Sequence, residues 1–179
     1  MSTHTVLETA RLILRPYSER DIPELLPLIG SREVAATTLR IPHPYTERDA
    51  RDFLANIQGE DEERLAITLR TDERLIGGVG LRLNLPHRNA ELGYWLGVAY
   101  WGHGYATEAS REMLRYGFED LGLHRIFASH FKHNPASGRV LKKIGMRYEG
   151  CQRQHLLKWG QFVDSELYGI LREEWKAGE

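Results

Sequence analysis

The sequence has one cysteine, no long apolar run and almost no net charge. The single thiol of Cys151 excludes an internal disulfide, and no cysteine-based zinc spacing is present, so no metal site is expected. No apolar stretch approaches the roughly 20 residues of a membrane helix, and Met1–Leu12 lacks the apolar core of a secretory signal. A net charge of −1 gives no basic face for nucleic acid or membranes. A cytoplasmic protein without such partners is therefore expected.

The overall composition is that of an ordinary globular protein. Its 179 residues are 41% hydrophobic and 27% charged, which is close to the average for folded domains. This length fits one domain with a substantial core. We therefore predict a single domain over residues 1–179.

The first third of the chain predicts one strand and two helices. Leu12–Arg15 has the apolar pattern of a strand. Asp21 suits the N-cap of the first helix. Thr46 and Asp49 have the spacing of a capping box, which predicts a second helix over Thr46–Ile57.

The rest of the chain predicts strands that alternate with two further helices. The predicted strands are Leu65–Leu69, Leu75–Leu83, Ala90–Gly97, Arg125–His130, Met146–Gly150 and Phe162–Leu171. The predicted helices are Ala106–Leu121 and Pro135–Ile144. Helices first, then paired strands, then a β-α-β-α-β order predict an α+β domain with a mixed sheet.

The most informative segment is the glycine-rich turn before the helix at Ala106. Gly102 and Gly104 allow positive φ and a close approach of the backbone to a ligand. The first amides of the helix lack internal partners and lie at the positive end of its dipole, so a diphosphate is the natural occupant. Many strand-to-helix turns, however, need glycine only to turn. The spacing excludes the dinucleotide fingerprint, and the missing Lys-Ser/Thr pair excludes a Walker loop.

A second segment, His133–Met146, follows a predicted strand. Asn134 suits an N-cap and Pro135 the first helical position, which is enough for a purely structural helix start. Together, however, the two segments resemble the GNAT superfamily, and more narrowly its branch of ribosomal-protein N-terminal acetyltransferases (the RimJ/RimL type). The resemblance runs from about Leu7 to Trp175 and includes Glu8–Pro16, Ala90–Leu96, Glu149-Gly150, Asp164–Tyr168 and Glu174-Trp175.

The resemblance implies a fold and an activity. The fold is a mixed, mostly antiparallel sheet with one splayed strand pair and helices on both faces. The activity is direct transfer of acetyl from acetyl-CoA to a primary amine in a ternary complex, with a protein N-terminal α-amine as the favoured acceptor. A small amine (polyamine, amino acid or antibiotic) and a non-catalytic acyl-CoA-binding module are the alternatives. Dimers are common in this branch, so a homodimer is also considered.

The resemblance places the coenzyme mainly on backbone groups of the third central strand and the loop after it. These residues are Leu96, Gly97, Val98, Trp101, His103, Gly104, Tyr105, Ala106 and Thr107. The Val98 N–H would face the thioester carbonyl, a contribution of roughly 10²–10³ in rate. His103, Tyr105 and Thr107 would bind the diphosphate. Trp101 stands where the superfamily usually has Arg or Gln, a change common in this branch, and would contact the cofactor or the acceptor.

The resemblance also implies roles in proton transfer. Asn134 would bind the pantetheine, and Ser137 would donate a proton to the leaving thiolate, whose thiol pKa of about 8.5 makes it a fair leaving group already. Glu91 is the candidate general base, but strand alternation points it to the face opposite the usual base unless a bulge shifts the register. Without a strong base, an α-amine of pKa about 8 is a better acceptor than a lysine amine. The acceptor would meet loops at Thr38–Tyr45 and Gln152–Gln161.

Overall fold

The computed structural model describes residues 5–57 and 61–176; residues 1–4, 58–60 and 177–179 of the predicted domain lie outside them. The strands are β1 (Leu7–Glu8), β2 (Leu12–Pro16), β3 (Glu62–Leu69), β4 (Leu75–Asn84), β5 (Asn89–Leu96), β6 (Arg125–Phe131), β7 (Arg147–Lys158) and β8 (Gln161–Leu171). The helices are α1 (Ile22–Ile29), α2 (Arg32–Ala36), α3 (Glu47–Asn56), α4 (Tyr105–Arg115) and α5 (Pro135–Lys143). A π-helical turn, Tyr116–Asp120, extends α4.

The described strands form one sheet in the order β1-β2-β3-β4-β5-β6-β8-β7. All neighbouring pairs are antiparallel except β5 and β6. These two parallel strands pair only where Asn89–Glu91 meets Arg125–Phe127, and beyond that point they part. The predicted mixed sheet with a splayed strand pair is confirmed.

Helices cover both faces of the sheet, as predicted. Met113 of α4 and Leu141 of α5 are fully buried in one core, and Leu25 of α1 and Ala50 of α3 are fully buried in another. Leu92 of β5 belongs to the first core. Because neighbouring residues of a strand point to opposite faces, the odd-numbered residues of β5 face α1 and α3.

The first two predicted helices, α1 and α3, begin where the sequence predicts. Only one of the two predicted N-cap side chains caps its helix. At α3, the Asp49 N–H donates to Thr46 Oγ1 (3.3 Å) and the Thr46 N–H donates to Asp49 Oδ2 (2.7 Å), which is the expected capping box. Asp21 precedes α1 but its side chain does not cap it. Its carboxylate instead accepts from the Arg15 guanidinium (2.7 and 2.9 Å) and from the Ser18 N–H (2.8 Å).

The prediction of a loop at Gln152–Gln161 was wrong. Strand β7 continues to Lys158 and returns into β8 through a tight turn at Trp159-Gly160. Most side chains of β7 are exposed because it is an edge strand, so the apolar alternation that marks a strand is missing from its sequence. No helix within residues 5–57 and 61–176 is long and apolar enough to cross a bilayer.

Candidate active site

The parted strands open into a cleft of about 750 Å³ that reaches both faces of the sheet. Of the predicted site residues, those lining it are Glu91, Leu96, Trp101, Gly104, Tyr105, Ala106, Thr107, Asn134 and Ser137. Gly97, Val98 and His103 lie beside the cleft without lining it. Nine of the twelve predicted site residues therefore line the cleft.

The N-terminus of α4 lines the cleft and has no side-chain cap among the described residues. Gly102 and Gly104 both have the positive φ that the sequence predicted, +79° and +82°. The first intrahelical bond runs from the Glu108 N–H to the Gly104 carbonyl (3.0 Å), and no side chain of the described residues caps the helix. The amides of Tyr105–Thr107 therefore keep the capacity to bind an anion at the positive end of the helix dipole.

Trp101 fastens the turn to β5. Its indole N–H donates to the Leu96 carbonyl (2.8 Å), and its own carbonyl contacts His103 Nδ1 (2.8 Å). The Leu96 carbonyl therefore already accepts a hydrogen bond from within the protein. Sequence reasoning assigned Trp101 to a ligand and missed this contact, which holds the loop in shape.

The Val98 N–H is among the backbone amides after Leu96 that remain for a ligand. The Gly97 N–H donates to the Ile76 carbonyl (2.9 Å), and a Cβ on Gly97 would lie 2.4 Å from Leu28 of α1. Gly97 is therefore needed for packing. Val98 begins a single 3-10 turn, and no group in the described parts of the chain accepts its N–H.

Glu108 anchors the N-terminal strands to this helix start. Its carboxylate accepts from Thr9 Oγ1 (2.6 Å) and Arg11 Nε (2.7 Å). Burial opposes ionisation of Glu108, but these hydrogen bonds together outweigh it and hold its pKa below the ordinary value.

The start of α5 brings Ser137 against Tyr94 of β5. Asn134 Oδ1 accepts from the Ser137 N–H (3.4 Å), so Asn134 caps the helix as its sequence position suggests. Ser137 Oγ lies 2.7 Å from the Tyr94 hydroxyl, which is also 3.2 Å from the Ser137 carbonyl oxygen. Burial raises the pKa of Tyr94 to about 12 although the Ser137 hydroxyl opposes the shift. Sequence reasoning did not single out Tyr94.

Glu91 lies on the other face of β5. The register of β4 and β5 continues without a shift from Gly77–Leu96 to Asn84–Asn89, so no bulge turns Glu91 around. The Arg82 guanidinium, directly across on β4, pairs with its carboxylate. The role of Glu91 as a base stays a prediction, and its contacts are those of a cross-strand ion pair.

The part of the cleft that is predicted to meet the acceptor combines a loop and a strand hairpin. Residues 38–42 and Tyr45 line the cleft from the predicted loop between α2 and α3. The buried Lys158, at the tip of the β7–β8 hairpin, donates to the Ile41 carbonyl (3.4 Å), and burial lowers the pKa of its amine.

Residues 5–57 and 61–176 hold no group of three or more His, Cys, Asp or Glu placed to bind a metal ion.

Comparisons with known proteins agree on one family. The profile of the acetyltransferase (GNAT) domain matches residues 11–147. The uncharacterized N-acetyltransferase YnaD of Bacillus subtilis is 34% identical over 170 residues, which cover 94% of this chain and 98% of YnaD. The [ribosomal protein uS5]-alanine N-acetyltransferase of Escherichia coli is 34% identical over 110 residues, 60% of this chain and 57% of that protein.

Solved structures agree with this family. A GNAT-family acetyltransferase from Bacillus anthracis superposes with a TM-score of 0.86 at 28% identity, covering 94% of this chain and 99% of that chain. A spermidine N-acetyltransferase from Vibrio cholerae, solved in complex with CoA and spermine, superposes with a TM-score of 0.81 at 24% identity over 93% and 98% of the two chains, and shares the fold. This chain therefore belongs to the GNAT family and is an N-acetyltransferase.

Proposed function

We propose that this protein transfers acetyl from acetyl-CoA directly to a primary amine, and that a protein N-terminal α-amine is its favoured acceptor. One observation carries the proposal: the uncapped start of α4 and the gap between β5 and β6 open into the same cleft. The helix start offers donors for a diphosphate, and the gap offers a path for the pantetheine arm. We further propose that residues 1–179 act as one cytoplasmic domain.

The residues present fit this coenzyme. The amides of Tyr105–Thr107 have no capping side chain, and these residues line the cleft, where a ligand can approach them. A negatively charged diphosphate is favoured at the positive end of α4. The unaccepted Val98 N–H supports its proposed place opposite the thioester carbonyl.

In the proposed reaction, a neutral amine attacks the thioester carbon. The C–N bond forms while negative charge develops on the carbonyl oxygen, where the Val98 N–H stabilises it. The C–S bond then breaks, and its electron pair stays on sulfur beside the Ser137 hydroxyl. The extra proton of the amine nitrogen passes to water, and the thiolate later takes a proton from solvent.

The charges around the cleft favour an acceptor with one amine over a polycation. The lining carboxylates are Asp49, Asp52, Glu62 and Glu91, and the lining cations are Arg40, Arg64, Arg82, Arg139 and Lys143. Arg64 and Arg82 pair directly with two of the four carboxylates. A polyamine site needs an excess of negative charge, and the described residues that line this cleft show none.

The position of Glu91 favours an acceptor that needs little help to lose a proton. Its carboxylate is held by Arg82 and so is poorly placed to accept a proton. An α-amine of pKa about 8 is partly neutral near pH 7.5, whereas a lysine amine of about 10.4 is almost wholly charged. The relative in Escherichia coli that acts on an alanine of ribosomal protein uS5 supports this class of acceptor.

A panel of amines tests the proposal. The protein is incubated with acetyl-CoA and peptides with free α-amines, the same peptides blocked at the N-terminus but with an internal lysine, spermidine, amino acids and an aminoglycoside. Mass spectrometry is expected to find acetyl on the α-amine of the free peptides. Turnover of small amines alone would contradict the peptide acceptor. Coenzyme binding without any acetylated product would instead indicate a non-catalytic acyl-CoA-binding module.

A further inference from the structure

We propose that Tyr94 is a positioning residue that holds the Ser137 hydroxyl with its proton directed at the coenzyme sulfur. This inference rests on the proposed function, because it assumes that a thioester lies between β5 and α5. It adds to that function a specific partner for Ser137, on the opposite wall of the cleft. It also changes the proposed role of Ser137: its hydroxyl donates a hydrogen bond to the thiolate but does not give up its proton.

The two side chains meet across the gap in the sheet. Tyr94 lies on β5 beyond Glu91, the last residue that pairs with β6, and Ser137 lies in the first turn of α5. Their hydroxyl oxygens are 2.7 Å apart, a normal distance for an O–H···O hydrogen bond. Both residues line the cleft. This hydrogen bond therefore connects the two walls near the point where they separate.

The donors and acceptors of this pair allow two arrangements, and an acceptor in the cleft favours one of them. The Tyr94 hydroxyl has a single proton, which can be donated to Ser137 Oγ (2.7 Å) or to the Ser137 carbonyl oxygen (3.2 Å). If Tyr94 donates to Ser137 Oγ, the proton of Ser137 is left for another acceptor. Within the described residues, Ser137 Oγ has no other hydrogen-bond partner. A group in the cleft is the acceptor that remains, and hydrogen bonds in such a chain strengthen one another.

The pair is suited to stabilise a thiolate without protonating it. The pKa of Tyr94, about 12, lies well above the value of about 8.5 for a thiol. Moving a proton from the hydroxyls to sulfur is therefore unfavourable. When the C–S bond breaks, the electron pair stays on sulfur and the Ser137 O–H donates to it. Tyr94 fixes the direction of that O–H, and solvent supplies the proton afterwards.

The ionisation of bound CoA tests this without any turnover. CoA binding is measured by calorimetry from about pH 6.5 to about 9.5 for wild type, Tyr94→Phe, Ser137→Ala and the double variant. A donor to the thiolate lowers the thiol pKa in the complex, so wild-type affinity should rise with pH, by about tenfold for one hydrogen bond to a charged group. The rise should be at least about threefold smaller in both single variants. Desulfo-CoA, which has no thiol, should bind with no such rise in any of them.

A double-mutant cycle on kcat separates positioning from packing. We expect Tyr94→Phe to lower kcat by about tenfold with little change in the KM for acetyl-CoA, and to have less than about a twofold effect in the Ser137→Ala background. Tyr116→Phe is the control, because its hydroxyl contacts Thr5 (3.3 Å) outside the cleft; it should leave kcat unchanged.

Three results would overturn the inference. They are an unchanged pH dependence of CoA binding in Tyr94→Phe, an unchanged kcat in that variant, and an equal loss from Tyr94→Phe with and without Ser137. A wild type that binds CoA with the expected pH dependence but acetylates no amine would contradict the proposed function without contradicting the Tyr94 inference. A wild type that does not bind CoA would contradict both the proposed function and the Tyr94 inference.

Discussion

The side chain of Arg11 joins the start of α4 to the loop before it. Its Nε donates to the Glu108 carboxylate (2.7 Å), while its Nη1 donates to the His103 carbonyl (3.0 Å) and its guanidinium lies 4.5 Å from the centre of the Tyr105 ring. The loop proposed to hold the diphosphate is therefore shaped from outside the cleft by the turn between β1 and β2. This relationship makes the loop sensitive to a residue that does not line the cleft.

Glu108→Gln is expected to lower Tm at neutral pH, with a cost of about 1–3 kcal/mol for weakened hydrogen bonds to a charged group. The folded-state pKa of Glu108 is lowered, so its ionisation stabilises the fold above the unfolded value of about 4.3 and stops doing so as pH falls through the folded value. The Tm difference from wild type should therefore shrink at acid pH. Thermal unfolding between about pH 7 and about pH 3 measures it.

Glu47→Gln is the matched control for this prediction. Glu47 pairs with Arg51 on the exposed side of α3 (2.7 Å), and surface pairs of this kind contribute less than about 1 kcal/mol. Its Tm should stay near that of wild type. A Glu108→Gln deficit that is the same at both ends of the pH range would contradict the proposed role of the carboxylate.

Trp101→Phe is expected to weaken the attachment of the loop before α4 to strand β5. The change keeps an aromatic ring but removes the indole N–H that binds the Leu96 carbonyl. We expect CoA affinity to fall by about fivefold, the equivalent of one hydrogen bond. Trp175→Phe removes a similar bond, to Glu119 (3.1 Å), outside the cleft, and should leave CoA binding unchanged. Equal affinities in the two variants would show that Trp101 does not support the coenzyme site.

Local signals in the sequence predicted the fold well, and contacts distant in sequence were missed. The capping box of Thr46 and Asp49 depends on neighbouring residues and was correct. Asp21 was placed correctly before α1, but its partner Arg15 lies in the preceding strand, six positions away, which is outside the span of a local capping motif. An exposed edge strand has no apolar alternation, so most of β7 was missed.

The same limit applies to the candidate site. Glycines and a helix start are consecutive in the chain, so the sequence itself predicted the turn before α4, and the family resemblance implied the other site residues. Tyr94 and Ser137 are 43 positions apart, and Arg11 and Glu108 are 97 apart. No periodicity connects such residues, and only the folded sheet brings them together.

Glu91→Gln is expected to change kcat/KM for an α-amine acceptor by less than about threefold, because loss of a general base costs about 10²–10⁴ and Glu91 is held by Arg82. The rate should rise with pH as the acceptor amine loses its proton, with a midpoint near its own pKa of about 8. Glu62→Gln is the control, since Glu62 also lines the cleft and pairs with an arginine. A loss of a hundredfold in Glu91→Gln alone would identify Glu91 as the base.

The most direct measurement is CoA binding by calorimetry to wild type, Gly104→Val and Gly160→Val. Gly104 and Gly160 share nearly the same positive φ, +82° and +79°, but Gly160 lies in the β7–β8 turn away from the cleft. Valine is strained at both positions, so both variants should lose stability to a similar extent. Only Gly104→Val should lose CoA affinity, by at least about tenfold, because its side chain disturbs the amides at the start of α4. Equal CoA affinity in the two variants would contradict the placement of the coenzyme phosphates on this helix.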